Sequence, residues 1–192
     1  MSTNSAIISA QGQEGTRKGK MPPALRRFLI TALLLFAGWK GLYHGLLEPG
    51  RVIDRPMTNA TAAIAAQVLS WSYPGVRYEQ RANEQAWVYA YGRKAVGVGD
   101  PCNGLEVYAL YVGLLLCLPA SVLRKAAFIL LPLPVLFWLN GARVAGIAWL
   151  NLEHRGWVDF SHHYVATTLM YGIIFGLWMW YGKGLKPARA GR

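Results

Sequence analysis

Four long runs of apolar residues constrain what this chain can fold into. They cover about residues 28–47, 105–123, 126–151 and 164–181, and 54% of the 192 residues are hydrophobic. An α-helix needs roughly 20 apolar residues to cross the hydrocarbon core of a bilayer. A buried soluble core could account for one such run but hardly for four. The runs therefore predict an all-α integral membrane protein with about four transmembrane helices.

Basic residues cluster in three of the segments outside these runs: the segment before the first run, the turn between the second and third, and the tail after the fourth. Those three segments hold 11 basic residues and one acid, Glu14. The basic residues are Arg17, Lys18, Lys20, Arg26, Arg27, Arg124, Lys125, Lys183, Lys186, Arg189 and Arg192. The two remaining segments carry acidic and basic residues in near balance. Since basic flanks stay in the cytoplasm, the net charge of +11 indicates topology, and no nucleic acid is expected as a partner.

The same rule orients the chain in the lipid bilayer. Both termini and the Arg124–Lys125 turn are predicted to be cytoplasmic, whereas residues 48–104 and 152–163 are predicted to face outward. This describes a multi-pass protein of the inner (plasma) membrane. Its expected parts are a disordered cytoplasmic tail at 1–24, a membrane domain at 25–182 with an outward insertion at 48–101, and a basic cytoplasmic tail at 183–192.

The outward insertion is predicted to be a small α/β unit. Residues 58–71 are Ala-rich and predict a helix, with one apolar stripe made of Ile64, Val68 and Trp71 that rests on the bundle or the membrane. Residues 85–91 and 95–98 are rich in β-branched and aromatic residues and predict a hairpin. Further along, two prolines, Pro132 and Pro134, are expected to bend the third membrane helix in its inner half.

One cysteine stands where the second run begins. Cys102 follows Asp100–Pro101 and precedes Asn103–Gly104, which is typical of a turn that starts a helix. Unpaired N–H groups at a helix start favour a thiolate and could hold an oxyanion. The other cysteine, Cys117, would be about 22 Å away on the same helix, so no disulfide is expected. The alternative for Cys102 is a small packed residue.

Two further groups are unusual at the outer membrane surface. Arg143 lies inside the third run, where a guanidinium needs a partner, a polar cleft or a route to the headgroups. Asn140 shares its helix face and favours the cleft. His162 and His163 precede the fourth run, either as an interfacial polar pair or with one imidazole as a general base beside the thiol. Adjacent histidines diverge on a helix, so neither a metal ion nor a cofactor is expected.

Three segments of this chain resemble the exosortase/archaeosortase family of membrane-embedded cysteine transpeptidases. They are Pro101–Leu105, Asn140–Arg143, and Asp159–Tyr164 leading into Tyr171–Trp178. The short form of the chain and its His162–His163–Tyr164 phrase are most similar to the compact exosortase-like proteins of Bacteroidetes and other Gram-negative bacteria. The chain is shorter than the larger exosortases, which have about eight spans.

The resemblance implies roles for individual residues. Cys102 would be the nucleophile, Arg143 would stabilise the oxyanion and His162 would be the acid/base, with Asn140, His163 and Asn103 as secondary candidates. The implied substrate is a secreted, membrane-tethered protein that carries a C-terminal sorting motif, a transmembrane helix and a basic tail. Cleavage would pass through a Cys thioester. The alternative function is a non-catalytic membrane component of exopolysaccharide or protein export assembly.

Overall fold

The computed structural model describes residues 21–80 and 85–183. Most of this part of the chain is helical, and one small sheet interrupts it. The elements in chain order are α1 Pro23–Leu42, α2 Asp54–Leu69, β1 Arg77–Glu79, β2 Ala86–Ala90, β3 Arg93–Val98, α3 Leu105–Cys117, α4 Val122–Leu130, α5 Pro132–Glu153, α6 Val158–Phe160 and α7 Ala166–Lys183. The predicted tails at 1–20 and 184–192 lie outside the described residues. Residues 23 and 24, predicted to belong to the tail, already form the first turn of α1.

Three helical segments among the described residues are long and apolar enough to cross a membrane. They are Pro23–Leu47, Val122–Glu153 and Arg155–Lys183, each of which includes the turns adjoining its main helix. Helix α3 has 13 residues and is therefore only about 20 Å long, whereas the sequence predicted a helix that continues to residue 123. The helix stops because Pro119 disfavours helical geometry at Leu118, which is extended (φ −82°, ψ 139°).

The third membrane helix is interrupted at Pro132, one of the two prolines where the sequence predicted a bend, although Leu131 keeps helical dihedral angles. Helix α4 ends at Leu130, and α5 begins at Pro132 after a single intervening residue. A proline lacks the N–H group that the preceding turn would need, so it is tolerated at a helix start and not in a helix interior. At the other end of α4, the Ser121 hydroxyl accepts the amide of Arg124 and caps the helix.

The insertion between α1 and α3 is an α/β unit, as the sequence predicted. Strands β2 and β3 form the predicted hairpin, and β1, which was not predicted, completes an antiparallel sheet in the order β1-β2-β3. The turn between β2 and β3 places Tyr91 and Gly92 at positive φ. Helix α2 starts at Asp54, four residues before the predicted start.

The most deeply buried residues of helix α2 lie beside the predicted apolar stripe, two of whose members also contact the rest of the fold. Its buried residues are mostly small: Thr58, Thr61, Ala62, Ala65, Ala66 and Leu69, with Asp54 at the helix start. Of the predicted stripe, Ile64 contacts Gly141 of α5 so closely that a Cβ there would overlap it, and Val68 packs against the core. Trp71 is exposed and lies near Trp138. Small side chains predominate among the buried residues of α2 because they let this helix approach α5 closely.

Two hydrophobic clusters hold the described residues together. One cluster joins α2 and the sheet to Val144, Ala145 and Ala148 of α5. The other cluster joins α3, α5 and α7 through larger side chains, among them Tyr111, Leu136 and Tyr181. Helix α1 lies against α3 and buries none of its residues within the described part of the chain. Cys102 packs against the first cluster, just before α3.

Candidate active site

A tight turn delivers Cys102 to the start of α3. Asp100–Cys102 forms one turn of 3-10 helix, with Gly99 extended before it. The amide of Cys102 donates to the Gly99 carbonyl (2.9 Å), and the amide of Asn103 donates to the Asp100 carbonyl (3.1 Å). Gly104 follows at φ +84°, a conformation that glycine adopts without strain. The turn leaves the Cys102 side chain half-buried and free of a disulfide.

Three backbone amides of this turn, at residues 102, 103 and 105, already donate hydrogen bonds within the turn. In addition to the two bonds above, the amide of Leu105 donates to the Asn103 side-chain oxygen (2.8 Å). The expectation that unpaired helix-start amides hold an oxyanion is therefore wrong for residues 102, 103 and 105. The hydrogen bonds that shape the turn occupy these three N–H groups.

One histidine of the pair faces the thiol. His162 Nε2 lies 3.8 Å from Cys102 Sγ, and His162 belongs to a π-helical turn, Ser161–Val165, that leads into α7. His163 is exposed, and its Nδ1 lies 3.0 Å from the Asp159 carbonyl oxygen. The two rings are nearly perpendicular, with an interplanar angle of 80°. The structure therefore brings His162, and not His163, to Cys102.

Arg143 and Asn140 reach the same turn from α5. The Asn140 amide donates to the Cys102 carbonyl oxygen (2.9 Å), and Arg143 Nη2 lies 3.5 Å from that oxygen. Asn140 is 2% exposed. The side chain of Arg143 is thus directed at the Cys102 turn rather than at the headgroups. It also lines a mainly apolar groove of about 430 Å³ between α5 and α7.

A polar cluster that joins the Cys102 turn to the start of α2 and the turn before it, which we call the Asp100 anchor, holds the Cys102 turn in place. Arg51 makes two hydrogen bonds to the Asp100 carboxylate (2.9 and 2.6 Å), and Thr58 donates a third (2.9 Å). Asn103, which is 1% exposed, donates to Asp54 (2.9 Å). The hydrogen bond to Asp100 raises the pKa of the Arg51 guanidinium. The anchor therefore fixes the residues on both sides of Cys102.

Sequence reasoning missed the anchor. Asp100 and Asn103 were noted as parts of the turn, but their partners Arg51 and Asp54 precede them by 49 residues. A carboxylate and an arginine at that distance give no local signal. Asn103 was a secondary site candidate, and its side chain bonds to α2 and to its own turn.

The three groups that the sequence singled out therefore meet at one place, next to the N-terminal end of α3. A half-buried thiol faces an imidazole nitrogen, and a guanidinium lies beside the carbonyl of the same cysteine. A family model described as Transmembrane exosortase (Exosortase_EpsH) matches residues 9–180. This chain belongs to the transmembrane exosortase family.

The family match confirms the resemblance found in the sequence. It makes the chain a multi-pass membrane protein, and it implies a transpeptidase-type enzyme that acts on proteins with sorting signals. Comparison with curated proteins and with solved structures gave no match.

Proposed function

We propose that this exosortase is a membrane-embedded cysteine transpeptidase or peptidase. It cleaves the C-terminal sorting signals of secreted, membrane-tethered proteins through a Cys102 thioester. The observation that carries the proposal is the 3.8 Å approach of His162 Nε2 to Cys102 Sγ, with the Arg143 guanidinium on the same turn. A nucleophile within reach of a base and beside a cation is the arrangement that acyl transfer requires.

The proposed reaction uses one proton relay. His162 Nε2 takes the proton of the Cys102 thiol, and the thiolate adds to the carbonyl carbon of the substrate amide. The electron pair of the C=O bond moves to its oxygen, and Arg143 stabilises that charge. The intermediate then collapses to a thioester as the C–N bond breaks, and the His162 imidazolium gives its proton to the departing amine. Attack by water or an acceptor amine on the thioester releases the acyl group and frees Cys102.

The proposed orientation places the active site at the outer (periplasmic) face and both termini in the cytoplasm. Arg124 donates a hydrogen bond to the Tyr181 carbonyl (2.6 Å), so the basic first turn of α4 lies level with the end of α7. Cys102 and His162 lie at the other ends of α3 and α7. Helix α3, about 20 Å long, would serve with the non-helical residues 118–121 as a fourth, shorter membrane-crossing element.

Accessibility labelling tests the orientation. In a Cys102→Ala, Cys117→Ala background, a cysteine introduced at Gln80 should react with a membrane-impermeant maleimide in intact cells, and one introduced at Lys186 should react only after lysis. The basic flanks carry this expectation. The opposite labelling pattern would overturn the orientation and the periplasmic mechanism.

The decisive test of the activity compares the two cysteines. A secreted reporter is fused to a C-terminal sorting signal from a protein encoded beside this gene, and its processing is followed in cells. Cys102→Ala should lower processing by more than about 10³-fold with unchanged membrane levels, because the nucleophile is lost. The Cys117→Ala variant should process the reporter normally, because Cys117 lies at the far end of α3 from Cys102. Wild-type processing by Cys102→Ala would replace the proposal with the non-catalytic role in export assembly.

A further inference from the structure

The Tyr108 hydroxyl is a buried polar group that the mechanism above does not use. Tyr108 is 8% exposed, and its ring packs near Phe137 of α5. Its hydroxyl is buried and has no hydrogen-bond partner within residues 21–80 and 85–183. Buried hydroxyls in folded proteins are almost always paired, so this one calls for an explanation.

The hydroxyl lies against the Cys102 turn. Side chains on a helix point back toward its N-terminus, so Tyr108 covers Gly104, one turn earlier. The approach is close, because a Cβ on Gly104 would lie 2.5 Å from the Tyr108 oxygen. That oxygen is therefore within about 4 Å of the Gly104 Cα, two residues from the thiol. The absence of a side chain at Gly104 is what makes room for it.

Arg143 presents a second donor without a partner to the same turn. Its Nη2 contacts the Cys102 carbonyl, while its Nε is buried and unpaired among the described residues. Two side chains on different helices thus bring unused N–H and O–H groups to the turn that carries the thiol, whose own amides at residues 102, 103 and 105 are occupied.

We propose that Tyr108 is a further catalytic residue, which donates a hydrogen bond, together with Arg143, to the carbonyl oxygen of the substrate. This rests on the proposed function. When the Cys102 thiolate adds to the carbonyl carbon, the electron pair of the C=O bond moves to that oxygen, and the Tyr108 O–H bonds to it while keeping its proton. When the C–N bond breaks, the carbonyl re-forms and the hydrogen bond weakens. The side-chain pair takes the place of the occupied backbone amides.

The test separates an oxyanion contact from a packing role. Tyr108→Phe keeps the ring and removes only the hydroxyl, so processing of the reporter should fall about 10²-fold, as expected for one oxyanion donor. Alkylation of Cys102 by iodoacetamide displaces iodide and forms no oxyanion, so its rate in the same variant should stay at the wild-type value. A matched control is Tyr111→Phe, one turn further along α3, whose hydroxyl donates to the Phe128 carbonyl. That variant should lose thermal stability and keep its processing rate.

Each remaining outcome overturns the inference. If processing by Tyr108→Phe falls less than about tenfold, the hydroxyl does not bind the oxyanion. If alkylation slows in parallel with processing, Tyr108 supports the fold of the site and does not contact substrate. The proposed function is judged separately, by Cys102→Ala, so normal processing by Tyr108→Phe alongside an inactive Cys102→Ala refutes this inference alone.

Discussion

On the α2 side of the Cys102 turn, most polar groups pair with one another, and the atoms buried without partners among the described residues are Asp54 Oδ2 and Thr61 Oγ1. On α3 and α5, by contrast, hydrogen-bond donors next to the turn lack partners. Asp100 accepts three hydrogen bonds from Arg51 and Thr58, and Asn103 is held by Asp54. On the other side, the Arg143 Nε and the Tyr108 hydroxyl are buried without partners among the described residues.

This difference distinguishes residues that hold the Cys102 turn in place from residues that are able to bind substrate. A polar cluster whose members satisfy one another makes a turn rigid, and it has little capacity left for a ligand. Donors that remain unpaired in a buried place carry a cost, which a substrate oxygen can relieve. The comparison therefore predicts that substitutions at Tyr108, Arg143 and His162 reduce the rate of the reaction. Substitutions in the Asp100 anchor should mainly reduce the stability of the fold, with a smaller effect on the rate.

The largest effect is expected from the imidazole that faces the thiol. His162→Ala should lower processing about 10²- to 10⁴-fold, because the base and the acid of the proton relay are the same group. His163→Ala is the matched control: its ring points to the Asp159 carbonyl and not to Cys102, so processing should change little. Processing of the reporter in cells, normalised to membrane levels, measures both. Equal defects in the two variants would contradict the assignment of His162.

A somewhat smaller effect is expected at the guanidinium. Arg143→Lys should lower processing about 10²- to 10³-fold, since lysine keeps the charge but loses the planar set of donors that can reach the Cys102 carbonyl and a substrate oxygen together. Arg155→Lys, on the exposed turn before α6, serves as the control and should be silent. If Arg143→Lys retains full activity, charge alone is sufficient and the donor geometry is not required.

The smallest effects distinguish two ion pairs near the site. Arg51–Asp100 has side chains that are 26% and 29% exposed, whereas Lys40–Glu106, at 3.6 Å, has side chains that are 41% and 71% exposed. Arg51→Gln should destabilise the protein by about 1–3 kcal/mol and slow processing several-fold, because Asp100 loses charged donors. Lys40→Gln should cost at most about 0.5 kcal/mol.

Thermal unfolding in detergent, followed by tryptophan fluorescence, compares these two variants directly. Equal losses of stability in Arg51→Gln and Lys40→Gln would show that the Asp100 anchor does not hold the turn more firmly than an exposed pair does.

Local features of the fold were predictable because their causes lie within a few residues of one another. Pro132 interrupts the third membrane helix because proline has no backbone N–H group to donate, whatever the helix packs against. The β2–β3 hairpin follows from two short β-prone runs on either side of Gly92. The error at α3 arose from weighing apolar character over residues 105–123 and overlooking Pro119, which ends the helix early. The three-residue strand β1 forms because β2 pairs with it, so the sequence of residues 77–79 gives no local signal for a strand.

The sequence by itself determined that this chain is a membrane protein, that a cysteine and a histidine stand where two apolar runs begin, and that an arginine lies inside another run. Hydrophobicity and charge act along the chain, so they can be read without knowing the packing. Only the tertiary structure decided which histidine faces the thiol, which amides are already occupied, and that Arg51 and Asp54 hold the turn. These depend on residues about 40 to 60 positions apart meeting at one point, and on a π-helical turn that directs one ring of an adjacent pair inward.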